Sequence, residues 1–112
     1  MSRSGHDYLH HILGEVDYLL ETSRGLTREA FLQDPTLRRA FVRSLEIVGE
    51  AAKQVPSDFR NQAQGIDWSG MAGMRDRLIH GYFGVDYELV WDVVTAKIPP
   101  LRDSIARLLA VI

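Results

Sequence analysis

A run of apolar residues at helical spacing constrains the fold of this chain more than any other feature. Between Thr36 and Val55 these residues recur every three or four positions, at Leu37, Phe41, Leu45, Val48, Ala52 and Val55. That spacing keeps one stripe of an α-helix buried for about five turns. Asp34 and Pro35 supply an N-cap carboxylate and a proline for the first turn, and Pro56 ends the pattern. The sequence therefore predicts one long, one-sided helix.

Helical signals also fill most of the remaining chain, and no pair of segments has the pattern of a β-hairpin. In chain order the predicted helices cover residues 7–23, a short segment after the N-cap Thr27, 36–55, 68–80 after the N-cap Asp67, 87–98 after the N-cap Asp86, and 101–112. Pro99 and Pro100 are expected to interrupt or kink the path before the last helix. The predicted fold class is all-α, a bundle of four to six helices with short connections.

The composition fits one globular domain. The chain has 112 residues, and residues 1–112 are predicted to form a single domain around one core. It has no cysteine, and no apolar run approaches the roughly 20 residues of a membrane span, so we expect a cytoplasmic protein that contacts no membrane. The net charge of −2 disfavours a protein that coats nucleic acid with a basic face. Any nucleic-acid chemistry must come from a local basic cluster.

The segment RDRLIHGY, residues 75–82, concentrates ionisable side chains at the predicted end of one helix. Arg75 lies at the edge of that helix's apolar stripe, where an unpaired guanidinium is costly to bury. Glu46 or Glu50 of the long helix could provide its partner. A purely structural salt bridge is therefore one interpretation of Arg75.

His80 falls in the last turn of the same predicted helix, where the helix dipole favours a protonated imidazole. Asp76, one turn earlier, could pair with it and fix its orientation. An unbroken helix would rotate His80 roughly 140° away from Arg75. The two side chains converge only if the helix unwinds near Gly81 or if a second subunit contributes its own pair. A terminal histidine is also often a simple helix cap.

Arginine, histidine and tyrosine in one segment nonetheless suit the chemistry of RNA. Arginine binds a phosphate through two parallel hydrogen bonds and stabilises charge that develops on phosphoryl oxygens. Histidine can move a proton to or from the ribose 2′-hydroxyl or the leaving oxygen. Such a site needs no metal, and its use of the 2′-hydroxyl would favour RNA over DNA.

The pattern R-x-x-x-x-H-x-Y formed by Arg75, His80 and Tyr82 resembles the signature of the HEPN superfamily, and in particular of the HepT-like toxins. Two blocks, RSLEIVGEAAKQV and DWSGMAGMRDRLIHGYFGVDYELVWDVV, are similar to recurrent blocks of that family in the same order. With YLHHIL near the start, the resemblance covers most of the chain. One departure is Asp76, where many relatives carry asparagine. An acid there would favour the protonated form of His80 or neutralise Arg75.

The resemblance implies a HEPN-type bundle that forms a two-fold homodimer, with Arg75 and His80 of both subunits as catalytic residues in a shared cleft. Asp76 and Tyr82 would support them. It implies an endoribonuclease toxin that cleaves tRNA or mRNA with no metal and no cofactor. The implied partner is a minimal nucleotidyltransferase antitoxin that transfers AMP from ATP to the motif tyrosine, here Tyr82. The added AMP would place negative charge and bulk where a substrate phosphate must bind.

Two other classes of function are consistent with parts of the sequence. One is a non-catalytic dimeric binding module that partners a nucleotidyltransferase and uses Arg75 and His80 to bind nucleotide or to stabilise an interface. The other is metal binding through His6, His10 and His11. The first two of these histidines lie one helical turn apart, but no third ligand stands at a suitable spacing.

Two further groups of residues have both a structural and a functional interpretation. The basic cluster Arg38, Arg39 and Arg43 could follow an RNA backbone or contact an acidic partner, although such runs are usually solvated helix faces. The large aromatic residues are expected to be core or interface anchors first and base-stacking platforms second, namely Trp68, Phe83 and Trp91.

Overall fold

Helices make up nearly all of the structure, a computed structural model that describes residues 4–81 and 84–112. In chain order they are α1 (Gly5–Ser23), α2 (Arg28–Leu32), α3 (Pro35–Gln54), α4 (Ser57–Asn61), α5 (Trp68–Ala72), α6 (Met74–Leu78), α7 (Tyr87–Asp92) and α8 (Ile98–Val111), with a π-helical segment (Val93–Lys97) between the last two. The described residues contain no β-strand, only an isolated antiparallel bridge between Ile79 and Val85. The all-α prediction is confirmed. None of the described helices is both long and apolar enough to span a membrane.

Side-chain caps begin most of these helices where the sequence predicts them. A backbone N–H of the first turn donates to the side chain of each predicted cap, namely Thr27, Asp34, Asp67 and Asp86. Ser4 forms a reciprocal capping box with Asp7, so α1 begins slightly earlier than predicted. These caps fix where each helix enters the bundle.

The core lies where α3 packs against α1 and α5, and where α1 packs against α8. The predicted stripe of α3 is buried at Phe41, Leu45, Val48 and Ala52. Both described tryptophan anchors are confirmed. Trp68 is buried and its indole N–H donates to the carbonyl of Ala63, and the Trp91 ring lies 5.3 Å from that of Phe31.

The helix predicted from Trp68 to His80 is wrong in two respects. Gly73 ends α5 and begins α6, although its N–H still donates to the carbonyl of Ser69, four residues earlier. Glycine is a poor helix former, and the break re-aims α6 although the apolar spacing continues through it. The second helix then ends at Leu78 because Ile79 adopts an extended conformation. With residues 87–111 counted as one helical run, the described residues form seven helices instead of four to six.

Pro99 and Pro100 were predicted to interrupt or kink the path, and the structure shows that they do not interrupt it. The chain stays helical from Tyr87 to Val111, and both prolines lie in the first turn of α8. Proline lacks the N–H that an α-helix needs, and its ring crowds the carbonyl four residues earlier. The π-helical segment directly before the prolines changes the hydrogen-bond register, so it accommodates them without a loop.

Gly49 allows α3 and α5 to pack in close contact. A Cβ atom at this position would lie 2.7 Å from the carbonyl oxygen of Met71, which is a backbone atom. We therefore expect Gly49→Ala to lower the free energy of unfolding by about 1–3 kcal/mol, the usual cost of overpacking a core. Urea unfolding followed by circular dichroism measures this change.

Gly14→Ala on α1 is the matched control, because no atom lies within 4 Å of its added Cβ. This variant should be neutral or stabilised by up to about 1 kcal/mol through better helix propensity. Equal destabilisation of the two variants would contradict the close contact at Gly49.

Candidate active site

Arg75 is positioned by α6, which packs against α3. Its Nε donates a hydrogen bond to Oε2 of Glu46 at 3.3 Å. Glu50 instead pairs with Lys53. The predicted salt bridge to Glu46 is confirmed, but Arg75 does not lie in the core, since 61% of its side chain is exposed against 24% for Glu46. No other hydrogen bond joins this guanidinium to the described residues, so its terminal nitrogens stay open to a ligand.

His80 lies between α6 and α7 in a segment that we call the His80 turn, of which the structure describes residues 79–81 and 84–85. The N–H of His80 donates to the carbonyl of Gly84 at 2.8 Å, and the N–H of Gly84 donates to Gly81. Gly81 and Gly84 have φ values of 54° and 88°, a region that residues with a Cβ rarely adopt. Beyond the turn, the N–H of Asp86 donates to the carbonyl of Leu78 at 2.8 Å. These bonds hold an exposed His80 on a defined backbone.

The predicted position of His80 in the last turn of a helix is therefore wrong. The helix ends at Leu78, so His80 lies beyond its last turn. Asp76 and His80 no longer share a helical face, and among the described residues no hydrogen bond or ion pair joins them. Likewise, none joins Arg75 to His80 within the chain. Arg75, Asp76 and His80 are all exposed, and within the described ranges the bond to Glu46 is the one hydrogen bond or ion pair that any of their side chains forms.

Two residues of the predicted motif region, Tyr82 and Phe83, lie outside the described residues. The predictions that Tyr82 supports the site and accepts AMP therefore have no structural counterpart here.

The N-terminal histidines either pack against an aromatic ring or face solvent. The His6 ring packs edge-on against Phe59, with ring centres 5.1 Å apart, and the His11 ring packs against Tyr8. His10 is exposed. Over the described ranges, no group of three or more His, Asp or Glu side chains is arranged to hold a metal ion.

The basic cluster on α3 divides into one structural arginine and two solvated ones. The Arg38 guanidinium lies 4.6 Å from the centre of the Tyr87 ring in α7, a cation–π contact. Its Nε is buried without a hydrogen-bond partner among the described residues. Arg39 and Arg43 are exposed on the outer side of the helix. The predicted solvated face is thus confirmed for these two.

Glu46 contributes to the site by holding Arg75. The sequence identified it only as one of two possible partners of that arginine. It lies between the buried residues Val42 and Gly49 on α3, so it is half-covered and its carboxylate faces α6. An acid at the edge of a buried stripe indicates a cationic partner on a neighbouring helix. Through that contact, α3 orients the guanidinium group of Arg75 and its N–H donors.

Comparison with known protein sequences assigns this chain to a family. The model of the family described as ribonuclease HepT-like matches residues 12–108, which include Glu46, Arg75 and His80. A "Putative RNase" of Caldanaerobacter subterraneus subsp. tengcongensis is 48% identical over 102 residues, which are 91% of each chain. No solved structure matches this chain significantly.

Two archaeal relatives agree with this assignment. A "Probable ribonuclease HepT" of Thermococcus cleftensis is 43% identical over 108 residues, which cover 96% of this chain and 98% of the relative. A relative from Methanocaldococcus jannaschii with the same description as the bacterial one is 42% identical over 92 residues, or 82% of this chain and 76% of the relative. The chain belongs to the HepT-like ribonuclease family, and the enzyme class implied by its arginine and histidine motif is confirmed.

Proposed function

We propose that this ribonuclease is the toxin of a toxin–antitoxin pair, an endoribonuclease that cleaves tRNA or mRNA without a metal ion. Arg75 and His80 are its catalytic residues, and Asp76 and Tyr82 support them. The observation that carries the proposal is the Arg75 guanidinium, which Glu46 orients through Nε alone and which keeps its other donors exposed. His80 on its hydrogen-bonded turn supplies the proton-transfer group nearby in sequence.

The reaction that fits these groups is attack by the ribose 2′-oxygen on the adjacent phosphorus. An imidazole removes the 2′-hydroxyl proton as the new P–O bond forms. The bond from phosphorus to the 5′-oxygen breaks, and that oxygen receives a proton. The products carry a 2′,3′-cyclic phosphate and a 5′-hydroxyl. Arg75 binds the non-bridging oxygens and stabilises the charge that develops on them.

The proposed active assembly is a two-fold homodimer with a shared cleft. This reaction needs one group that accepts a proton and another that donates one, and each chain offers a single histidine in this segment. Two copies would supply both, and neither His80 nor the outer edge of Arg75 is covered within one chain. Light scattering that gave the mass of one 12.7 kDa chain at the concentrations used for activity would exclude the shared cleft.

The proposed antitoxin is a minimal nucleotidyltransferase that transfers AMP from ATP to the hydroxyl of Tyr82. The tyrosine oxygen would attack the α-phosphorus of ATP, and pyrophosphate would leave. This modification suits the site because Tyr82 follows His80 closely in sequence, and a bound phosphodiester would compete with substrate phosphate for Arg75.

The test is cleavage of total cellular RNA, tRNA included, by the purified protein in buffer that contains a chelator. We expect cleavage by the unaltered protein and a loss of about 10²–10⁴-fold in rate for His80→Ala, the range for a general acid or base. Termini are read by mass spectrometry, and a 2′,3′-cyclic phosphate is expected. Equal cleavage by both proteins would mean that the activity does not depend on His80.

A further inference from the structure

One edge of α3 connects the region of Arg75 to the start of that helix. Arg39, Arg43 and Glu46 are separated by four and three residues, which places them along one face of α3. We call this face the α3 edge. Glu46 holds Arg75 by the 3.3 Å hydrogen bond, so the α3 edge runs directly up to the proposed catalytic arginine.

Charge pairing leaves the α3 edge positive. Its acidic residue Glu46 pairs with Arg75, and Glu50, one turn further along the helix, pairs with Lys53 at 3.9 Å. Arg39 and Arg43 are exposed, and neither forms a hydrogen bond or ion pair with any residue of the described ranges. Two guanidinium groups therefore face solvent with all their donors free of protein partners.

The His80 turn connects α6 and α7, which both contact α3. At one end of the turn, α6 contacts α3 through Arg75 and Glu46. At the other end, α7 contacts α3 through Tyr87, whose ring lies under Arg38. The turn bridges these two contacts, which are about 12 Å apart along α3 at 1.5 Å per residue. Arg39 and Arg43 lie within that interval.

We infer that the α3 edge binds the backbone of single-stranded RNA, with Arg39 and Arg43 contacting phosphates next to the one that is cleaved. This inference rests on the proposed function. Guanidinium groups bind phosphates through paired hydrogen bonds, and a row of them follows a strand without reading its bases. A single polyanion can engage all three arginines at once, because the α3 edge is continuous with Arg75. Binding along the α3 edge explains how a chain with a net charge of −2 binds RNA.

The test measures how RNA binding depends on salt. All proteins carry His80→Ala, which prevents cleavage. Binding of a fluorescent single-stranded RNA oligonucleotide is measured by anisotropy at KCl concentrations between about 50 and 200 mM, a range in which affinity depends on the number of phosphate contacts. Each lost phosphate contact should lower the slope of log K against log salt by about 0.7. Arg39→Gln with Arg43→Gln should therefore reduce it by about 1.4 for each chain that the strand contacts.

The matched control removes two positive charges elsewhere. Lys97 and Arg107 are exposed on the π-helical segment and α8, away from the α3 edge in the contact pattern of the helices. Lys97→Gln with Arg107→Gln should leave the slope unchanged. Melting temperatures of both double variants should match the parent protein, because none of the four side chains forms an ion pair with a described residue.

Each remaining outcome separates the inference from the proposed function. RNA cleavage by the unaltered protein, with the same salt slope for the α3-edge variant and its parent, would overturn the inference and leave the function standing. An equal slope change in the control would also overturn it, because the effect would reflect net charge alone. An unchanged RNA slope with weakened binding of the nucleotidyltransferase would assign the α3 edge to an acidic protein partner. Absence of both RNA binding and cleavage would overturn the proposed function itself.

Discussion

Arg75→Lys is expected to lower kcat/KM for RNA cleavage by about 10²–10³-fold, the cost of losing one donor group that stabilises a transition-state anion. Lysine keeps the positive charge but replaces a planar fork of donors with a single ammonium. The open terminal nitrogens of Arg75 are the part of the site that this change removes. Because the positive charge is conserved, a loss of this size would show that the reaction depends on the arrangement of the guanidinium hydrogen bonds to phosphate and not on charge alone.

The same substitution should barely affect the stability of the fold. The Arg75–Glu46 pair is exposed on the arginine side, and such pairs contribute about 0–1 kcal/mol. A lysine could also still reach Glu46. Thermal melting should therefore shift by no more than a few degrees, as expected for a change of that size in a small domain.

Arg77→Lys provides the matched control for this experiment. Arg77 belongs to the same short helix, is exposed, and lines a cavity of about 370 Å³ together with Met71 and Met74, on another side of α6 from Glu46. We expect its kcat/KM to stay within about twofold, the effect usual for a surface change outside the site. Full activity of Arg75→Lys would instead favour the non-catalytic interpretation of Arg75 as a structural partner of Glu46.

Helix starts were predictable because capping is local chemistry. A short polar side chain at Thr27, Asp34, Asp67 or Asp86 satisfies a free N–H of the turn that follows it, and no distant residue has to cooperate. The long apolar stripe of α3 was equally clear, because its spacing persists over the whole helix. These two signals account for the all-α class and for the position of the main core.

Helix ends near the site were not predictable, because they depend on tertiary contacts. The apolar spacing of Met71, Met74 and Leu78 continues through Gly73, so the pattern alone indicates one unbroken helix. The structure nevertheless divides this segment at Gly73, where α5 ends and α6 begins. The His80 turn likewise depends on a bridge from Ile79 to Val85 across two glycines. The sequence left open whether the helix unwinds near Gly81, and the structure shows that it ends at Leu78. The catalytic roles of Arg75 and His80 stay predictions.

Treatment with a minimal nucleotidyltransferase and ATP is expected to abolish RNA cleavage and to raise the intact mass of the chain by one AMP group at Tyr82. A phosphodiester adds a negative charge and strong acceptor oxygens. A phosphodiester attached two residues after His80 in sequence is expected to compete with the substrate phosphate for the open nitrogens of Arg75. Intact-mass spectrometry and an RNA cleavage assay on the same sample would measure both effects.

Tyr82→Phe and Tyr87→Phe form the control pair for this modification. Tyr82→Phe lacks the accepting hydroxyl, so its mass should stay unchanged after exposure to the transferase. Its RNA cleavage after this treatment should equal that of the same variant before treatment. The second removes a hydroxyl from a half-buried ring held under Arg38, so it should still gain AMP and lose cleavage. Modification of Tyr82→Phe would move the acceptor to another residue. Inhibition without any gain in mass would mean that the antitoxin acts by covering the cleft, and that the negative charge at Tyr82 has no part in neutralisation.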